Sequence, residues 1–108
     1  MDERLLKQWQ ITETLLDTAA AELSGASVLQ TYRDFIEHNE LEMALDVLED
    51  AGHENAVSRE YWWNLKKAAE AMGLRERYAA LREQLRLASE AKNQGAQAPN
   101  PRTPSPKA

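Results

Sequence analysis

The sequence predicts an all-α domain, a compact bundle of four to five helices with a disordered C-terminal tail. Three observations carry that reading. Apolar residues recur three and four positions apart through most of the chain, the spacing of one helix face. Glycines and short polar groups punctuate those stripes at helical lengths. No run alternates with the period of two that a half-buried strand requires.

The first stripe is Leu5, Trp9, Thr12, Leu16, Ala19 and Leu23, and Ala19, Ala20 and Ala21 add local helix propensity. Ser24 and Gly25 are expected to end it, because glycine adopts the left-handed conformation of a helix C-terminus cheaply. Ser27 reads as the next N-cap, with Gln30 at capping-box spacing. Leu29, Tyr32, Phe35, Ile36 and Asn39 carry the second stripe. Asn39 and Glu42 repeat the capping signature, so a break is expected at 38–40 and a third helix over 41–50. That helix is expected to bury Leu41, Ala44, Leu45 and Leu48, to widen its face with Met43 and Val47, and to close at Gly52. A loop over 53–57 precedes Ser58, a plausible N-cap with Glu60 in the first turn. Tyr61, Leu65, Ala68, Ala69 and Met72 form the fourth stripe, which Gly73 ends. Leu74, Tyr78, Leu81, Leu85 and Ala88 form the last.

The helical domain is placed at 1–92. Residues 93–108 hold all four prolines and no large apolar side chain, so their burial cannot offset the entropy of ordering them. Pro101 and Pro104 have polyproline-motif spacing, which a plain solvated tail also explains.

The 108 residues suit one domain. The absence of cysteine excludes disulfide and thiolate chemistry. A net charge of −5 argues against general nucleic-acid binding, which needs a basic face, and favours cationic partners. No apolar run approaches bilayer length, and no apolar stretch follows the polar start of the chain. A cytoplasmic protein with no membrane association is therefore expected. There is no Gly-rich phosphate loop, nucleophile elbow or zinc-protease motif, so catalysis, a metal and a cofactor are not expected.

The charges are unevenly placed. Eight acidic residues and no basic one lie between Asp34 and Glu54, whereas Lys66 to Arg86 holds six basic residues against three acidic. Glu42, Asp46, Glu49 and Asp50 are spaced i, i+4, i+7 and i+8, on one side of the third helix. Like charges at i,i+4 cost a helix roughly 0.2–0.5 kcal/mol per pair. The face is either solvated and partly neutralised by the last helix, or a docking surface for a cationic protein. Asp34 and Glu37 adjoin it. Tyr61, Trp62 and Trp63 are consecutive, about 100° apart on a helix, so all three cannot face one core. Trp63 falls with Lys66, Lys67 and Glu70, and is either wedged between helices or available to a partner. Asp34 and His38 have a metal-compatible spacing but lack enough further ligands, and His38 suits a hydrogen bond at a helix end instead.

Residues 41–52 and 61–73 are each a helix closed by glycine, a repeat-like hairpin too short to be an array. FIEHNELEMALDVLEDAG at 35–52, followed by SREYWWNLKKAAEAMGL at 58–74, resembles the small helical immunity proteins of bacterial polymorphic-toxin systems, the Maf-type among them. The resemblance rests on Glu40, Leu41, Ala44, Leu45, Leu48, Met72 and Gly73. Trp62, Trp63 and the long last helix depart from it, and no toxin-contacting residue carries over by motif. It implies a cytoplasmic protein that binds and occludes a cognate toxin domain with a basic surface. The residues expected at that interface are Glu42, Asp46, Glu49 and Asp50, from charge, with Asp34, Glu37 and the aromatic Trp63 as neighbours. The alternative is a structural or adaptor protein, a homodimer that pairs the acidic third helix with the basic fifth.

Overall fold

Five helices make up residues 3–97, the part of the chain that the computed structural model describes, and none of these residues lies in a strand. They are α1 (Glu3–Ala20), α2 (Ala26–Glu37), α3 (Leu41–Glu54), α4 (Arg59–Met72) and α5 (Arg75–Gln97). The expected all-α bundle is the observed one. Helix α4 lies at its centre and packs on α1, α3 and α5, while α2 packs on α3. The stripes supply the core: Leu16, Ala19, Ala44, Leu45, Leu48, Tyr61, Leu65, Ala68, Ala69 and Leu81 have no exposed surface. Each of the larger aliphatic side chains among them contributes roughly 1.5–3 kcal/mol by leaving water.

Polar contacts fix the directions of the helices. Gln8 Nε2 donates to the Ala71 carbonyl near one end of α4. At the other end, Glu22 accepts from both the backbone N–H and the hydroxyl of Ser58. Helices α1 and α4 therefore run antiparallel. Arg59 Nε donates to Ser89 Oγ at 2.7 Å, and Lys66 Nζ lies 6.0 Å from the centre of the Tyr78 ring. Helix α5 thus returns along α4. Ala71 is near the end of α4, so the first turn of α1 runs past its neighbour. That is why Leu5, the first member of its stripe, is 60% exposed; Trp9, one turn on, is half-buried.

Several helix ends differ from expectation. Helix α1 stops at Ala20, and Gly25 is the extended N-cap of α2 with φ −74°, not a left-handed terminator. Ser27 lies inside α2, where its carbonyl accepts from the Thr31 hydroxyl; it caps nothing. The break at 38–40 is real, but Asn39 ends α2 instead of capping α3. It has φ +60°, its N–H donates to the Ile36 carbonyl, and the Glu40 N–H donates to Phe35 at 2.8 Å, the crossed pair of a Schellman motif. Asparagine tolerates the left-handed region better than most residues, which suits it to this position. Gly73 ends α4 in the same way, at φ 73°, with its N–H on Glu70 and that of Leu74 on Ala69.

Gly52 does not close α3, which continues to Glu54. It is a contact point. A Cβ there would lie 2.6 Å from Trp62 Cη2 and 2.8 Å from Tyr61 Cε1, so glycine is what lets the two α4 rings approach α3 this closely. Tyr61 then donates its hydroxyl to the Leu48 carbonyl, and Trp62 packs edge-on to Tyr61 with ring centres 5.5 Å apart. Ser58 is the N-cap expected of it, accepting from the Tyr61 N–H at 3.1 Å. Helix α5 carries on past the expected boundary at 93, through Gln97. The remainder of the expected tail, from 98 on, lies outside the described residues.

Candidate functional site

The acidic residues of α3 divide between two neighbours. Towards α5, Arg77 Nη1 stands 2.9 Å from Asp46 Oδ1 and 3.3 Å from Glu42 Oε2. That nitrogen is buried and makes no aligned hydrogen bond, so the pairing is Coulombic and lacks the strength of a bidentate fork. One guanidinium serves two carboxylates. Asp46 keeps 38% of its side chain exposed and Glu42 57%, so solvent screens both pairs.

Two of the carboxyls register burial first and neighbouring charge second. Burial pushes Asp46 above the usual carboxylate range, Glu42 and Asp50 push the same way, and the pull of Arg77 does not reverse the shift. Burial also pushes Glu49 up, and the Asp46 charge adds to it; Arg77 and His53 oppose. Glu49 is half-buried and, among the described residues, in no ion pair. Glu42 and Asp46 thus share a single guanidinium, and the neutralising contribution of the last helix comes through Arg77.

Asp50, one turn beyond Asp46, lies at the edge of this face towards α2. With Glu54 it borders a groove of about 470 Å³ between α3 and the beginning of α2, whose apolar lining includes Val28 and Val47. Glu37 lies elsewhere again, in a cleft of about 640 Å³ between α1 and α2 with Glu13, Asp17, Tyr32 and Arg33. There Tyr32 donates its hydroxyl to Asp17, and burial together with that bond raises the phenol far above its ordinary pKa. Asp34 is exposed and accepts from Gln30 Nε2 at 2.9 Å.

His38 is the C-cap of α2, with Nδ1 2.7 Å from the Asp34 carbonyl oxygen. That bond, to a helix-end acceptor, is the main cause of its raised pKa. The ring thus meets the backbone of Asp34 and not its carboxylate. Among the described residues no group of three or more metal-binding side chains gathers.

Trp63 is 40% exposed, with Lys67 Nζ 6.0 Å from its ring centre and Lys67 paired to Glu70 at 2.8 Å. Tyr61 and Trp62 are the rings turned to α3, and Trp63 is a further 100° round the helix. The structure therefore sets Trp63 apart from the α3 carboxylates. Of the seven residues expected at the interface, it brings Glu42, Asp46 and Glu49 together, with Asp50 on the adjoining ridge. Asp34, Glu37 and Trp63 each occupy different surroundings. Sequence reasoning did not single out Glu13 and Asp17, which join Glu37 only once Tyr32 of α2 reaches Asp17 of α1, nor the groove beside Asp50 and Glu54. The tally of basic residues in α5 included Arg77, but its spacing alone did not mark it as the one that reaches α3.

Comparison with protein families, with curated proteins and with solved structures returns no match for this chain. Among the described residues no helix is long and apolar enough to cross a membrane.

Proposed function

We propose that this protein is an inhibitory binding module that uses the acidic face of α3 to dock on and occlude a basic partner. The partner class we assign, from the resemblance of residues 35–74, is a cognate bacterial toxin domain, and the place of action is the cytoplasm. The single observation that carries the reading is the imbalance at α3. Arg77 pairs with Glu42 and Asp46, while Glu49 and Asp50 are in no ion pair among the described residues. A face selected for stability alone would interleave opposite charges. A face selected for a cationic partner keeps its field, which speeds association and selects among partners. Such a module works by steric and electrostatic blockade and needs no catalytic group of its own.

The test is co-expression and binding with the basic toxin domain as partner. Reversing Asp46 and Glu49 to lysine is expected to abolish protection and weaken binding while far-UV circular dichroism stays helical. Asp46 also serves Arg77, so Glu49→Lys with Asp50→Lys is the companion variant that leaves that pair in place. Undiminished binding by both variants would end the acidic-face mechanism.

A second reading, an adaptor that self-associates, is favoured by exposed apolar side chains: Leu5, Leu6 and Ile11 on α1 and Leu87 on α5. Sedimentation at low and high salt separates the two. Self-association favours the adaptor homodimer, salt-sensitive if α3 pairs with α5 by charge and salt-insensitive if the apolar side chains hold it, and a monomer at every salt concentration favours the inhibitor.

A further inference from the structure

The groove between α2 and α3 has a lining that the charge pattern alone does not reveal. Its floor is apolar: Val28 from α2 and Val47 from α3, both half-buried and packed on the core. Its rim on the α3 side carries Asp50 and Glu54, both exposed and one turn apart. Neither is in an ion pair within the described residues. Both also stand in the last turns of α3, the negative end of the helix dipole, where a carboxylate is disfavoured and a cation is stabilised. The rim on the α2 side carries hydroxyls, Ser27 and Thr31, and no charge. An apolar floor with a one-sided anionic rim complements one kind of side chain, a long aliphatic stem ending in a cation. Lysine and arginine have that form. Arginine fits better, because its planar fork can span two carboxylates and is more weakly hydrated.

We propose that this groove seats an arginine or lysine of the basic protein partner, its methylenes against Val28 and Val47 and its cation between Asp50 and Glu54. The assignment rests on the reading of the protein as a binder of basic proteins, and it sharpens that reading. Anchoring shifts from the middle of the acidic stripe to the end of α3, where packing and charge act on the same side chain. Such buried-stem anchors dominate interface energetics, and the surrounding carboxylates steer.

The probe is hexa-arginine added to the full chain at low salt, followed by amide chemical shifts, with hexaglutamate as control. Saturable shifts are expected to centre on Val28, Thr31, Val47, Asp50 and Glu54. Asp50→Asn with Glu54→Gln is expected to weaken binding roughly tenfold, the equivalent of two partly exposed ion pairs. Val47→Thr keeps the shape and lowers the hydrophobicity, and is expected to weaken binding a few-fold. Val28→Thr does the same from the other wall should Val47→Thr lose helicity. Shifts centred on Glu42, Asp46 and Glu49, unaffected by these variants, would overturn the groove and leave the acidic-face reading standing. Absence of any saturable shift would overturn both.

Discussion

Gly52 shows how one missing methyl group sets the register of two helices. Its Cα surface receives the Trp62 and Tyr61 rings at distances that leave no room for a Cβ. Alanine is the better helix former by about 1 kcal/mol, so Gly52→Ala would stabilise an isolated α3. In the folded protein we expect the opposite sign, a loss of about 1–3 kcal/mol, because rigid rings and backbone must move apart. Urea unfolding measures this, and a more stable variant would show that the rings yield. The carboxyl of Glu49 is a second residue whose sign is informative. Its folded-state pKa is raised, by burial first and the Asp46 charge second. The fold therefore holds the protonated form more tightly, and that stabilisation is complete in acid and lost as pH rises through the folded value. Glu49→Gln is expected to raise stability by about 0.5 kcal/mol at neutral pH, with the difference closing in acid. Thermal unfolding of the two proteins at both pH values reads it directly. A variant less stable at neutral pH would mean that Glu49 has a structural partner.

Helix ends show how far the element scale could be read from residues alone. The four- and three-residue stripes placed all five helices, because the 3.6-residue period dictates which side chains share a face. Ser58 was readable as an N-cap for the same local reason. Gly25, Ser27, Asn39 and Gly52 were not, since a glycine or small polar residue fits several roles and tertiary packing chooses among them. Asn39 ends one helix instead of beginning the next, and Gly52 is spent on contact with α4. Ser58 also illustrates how one residue joins elements, since it caps α4 and bonds Glu22 beyond the end of α1. Ser58→Ala is expected to cost about 1 kcal/mol from the lost cap, with the loss of the Glu22 hydrogen bond in addition. Hydrogen exchange should then quicken at the first turn of α4 before the core responds. Uniform quickening would mean that this end opens only with the whole domain.

For the whole molecule, the sequence carried the charge asymmetry but not its distribution in space. The eight acidic residues of 34–54 were countable, yet the fold spreads six of them over an α1–α2 cleft, an α3 ridge shared with Arg77, and a groove beside α2, with Asp34 and Glu40 outside all three. Trp63 could be placed by its 100° step but not by its neighbours, and it stands apart from the acids. The α3 ridge remains the feature that folding least explains. The proposed function requires that ridge to be kept for a basic partner at some cost to stability. The most direct measurement is the affinity of the Glu49→Lys, Asp50→Lys protein for the proposed partner, a basic toxin domain, compared with the unaltered chain at low salt. Retained helicity with affinity reduced at least roughly tenfold, as expected for reversal of two interfacial charges, is the predicted result. Equal affinity in a folded variant would contradict it.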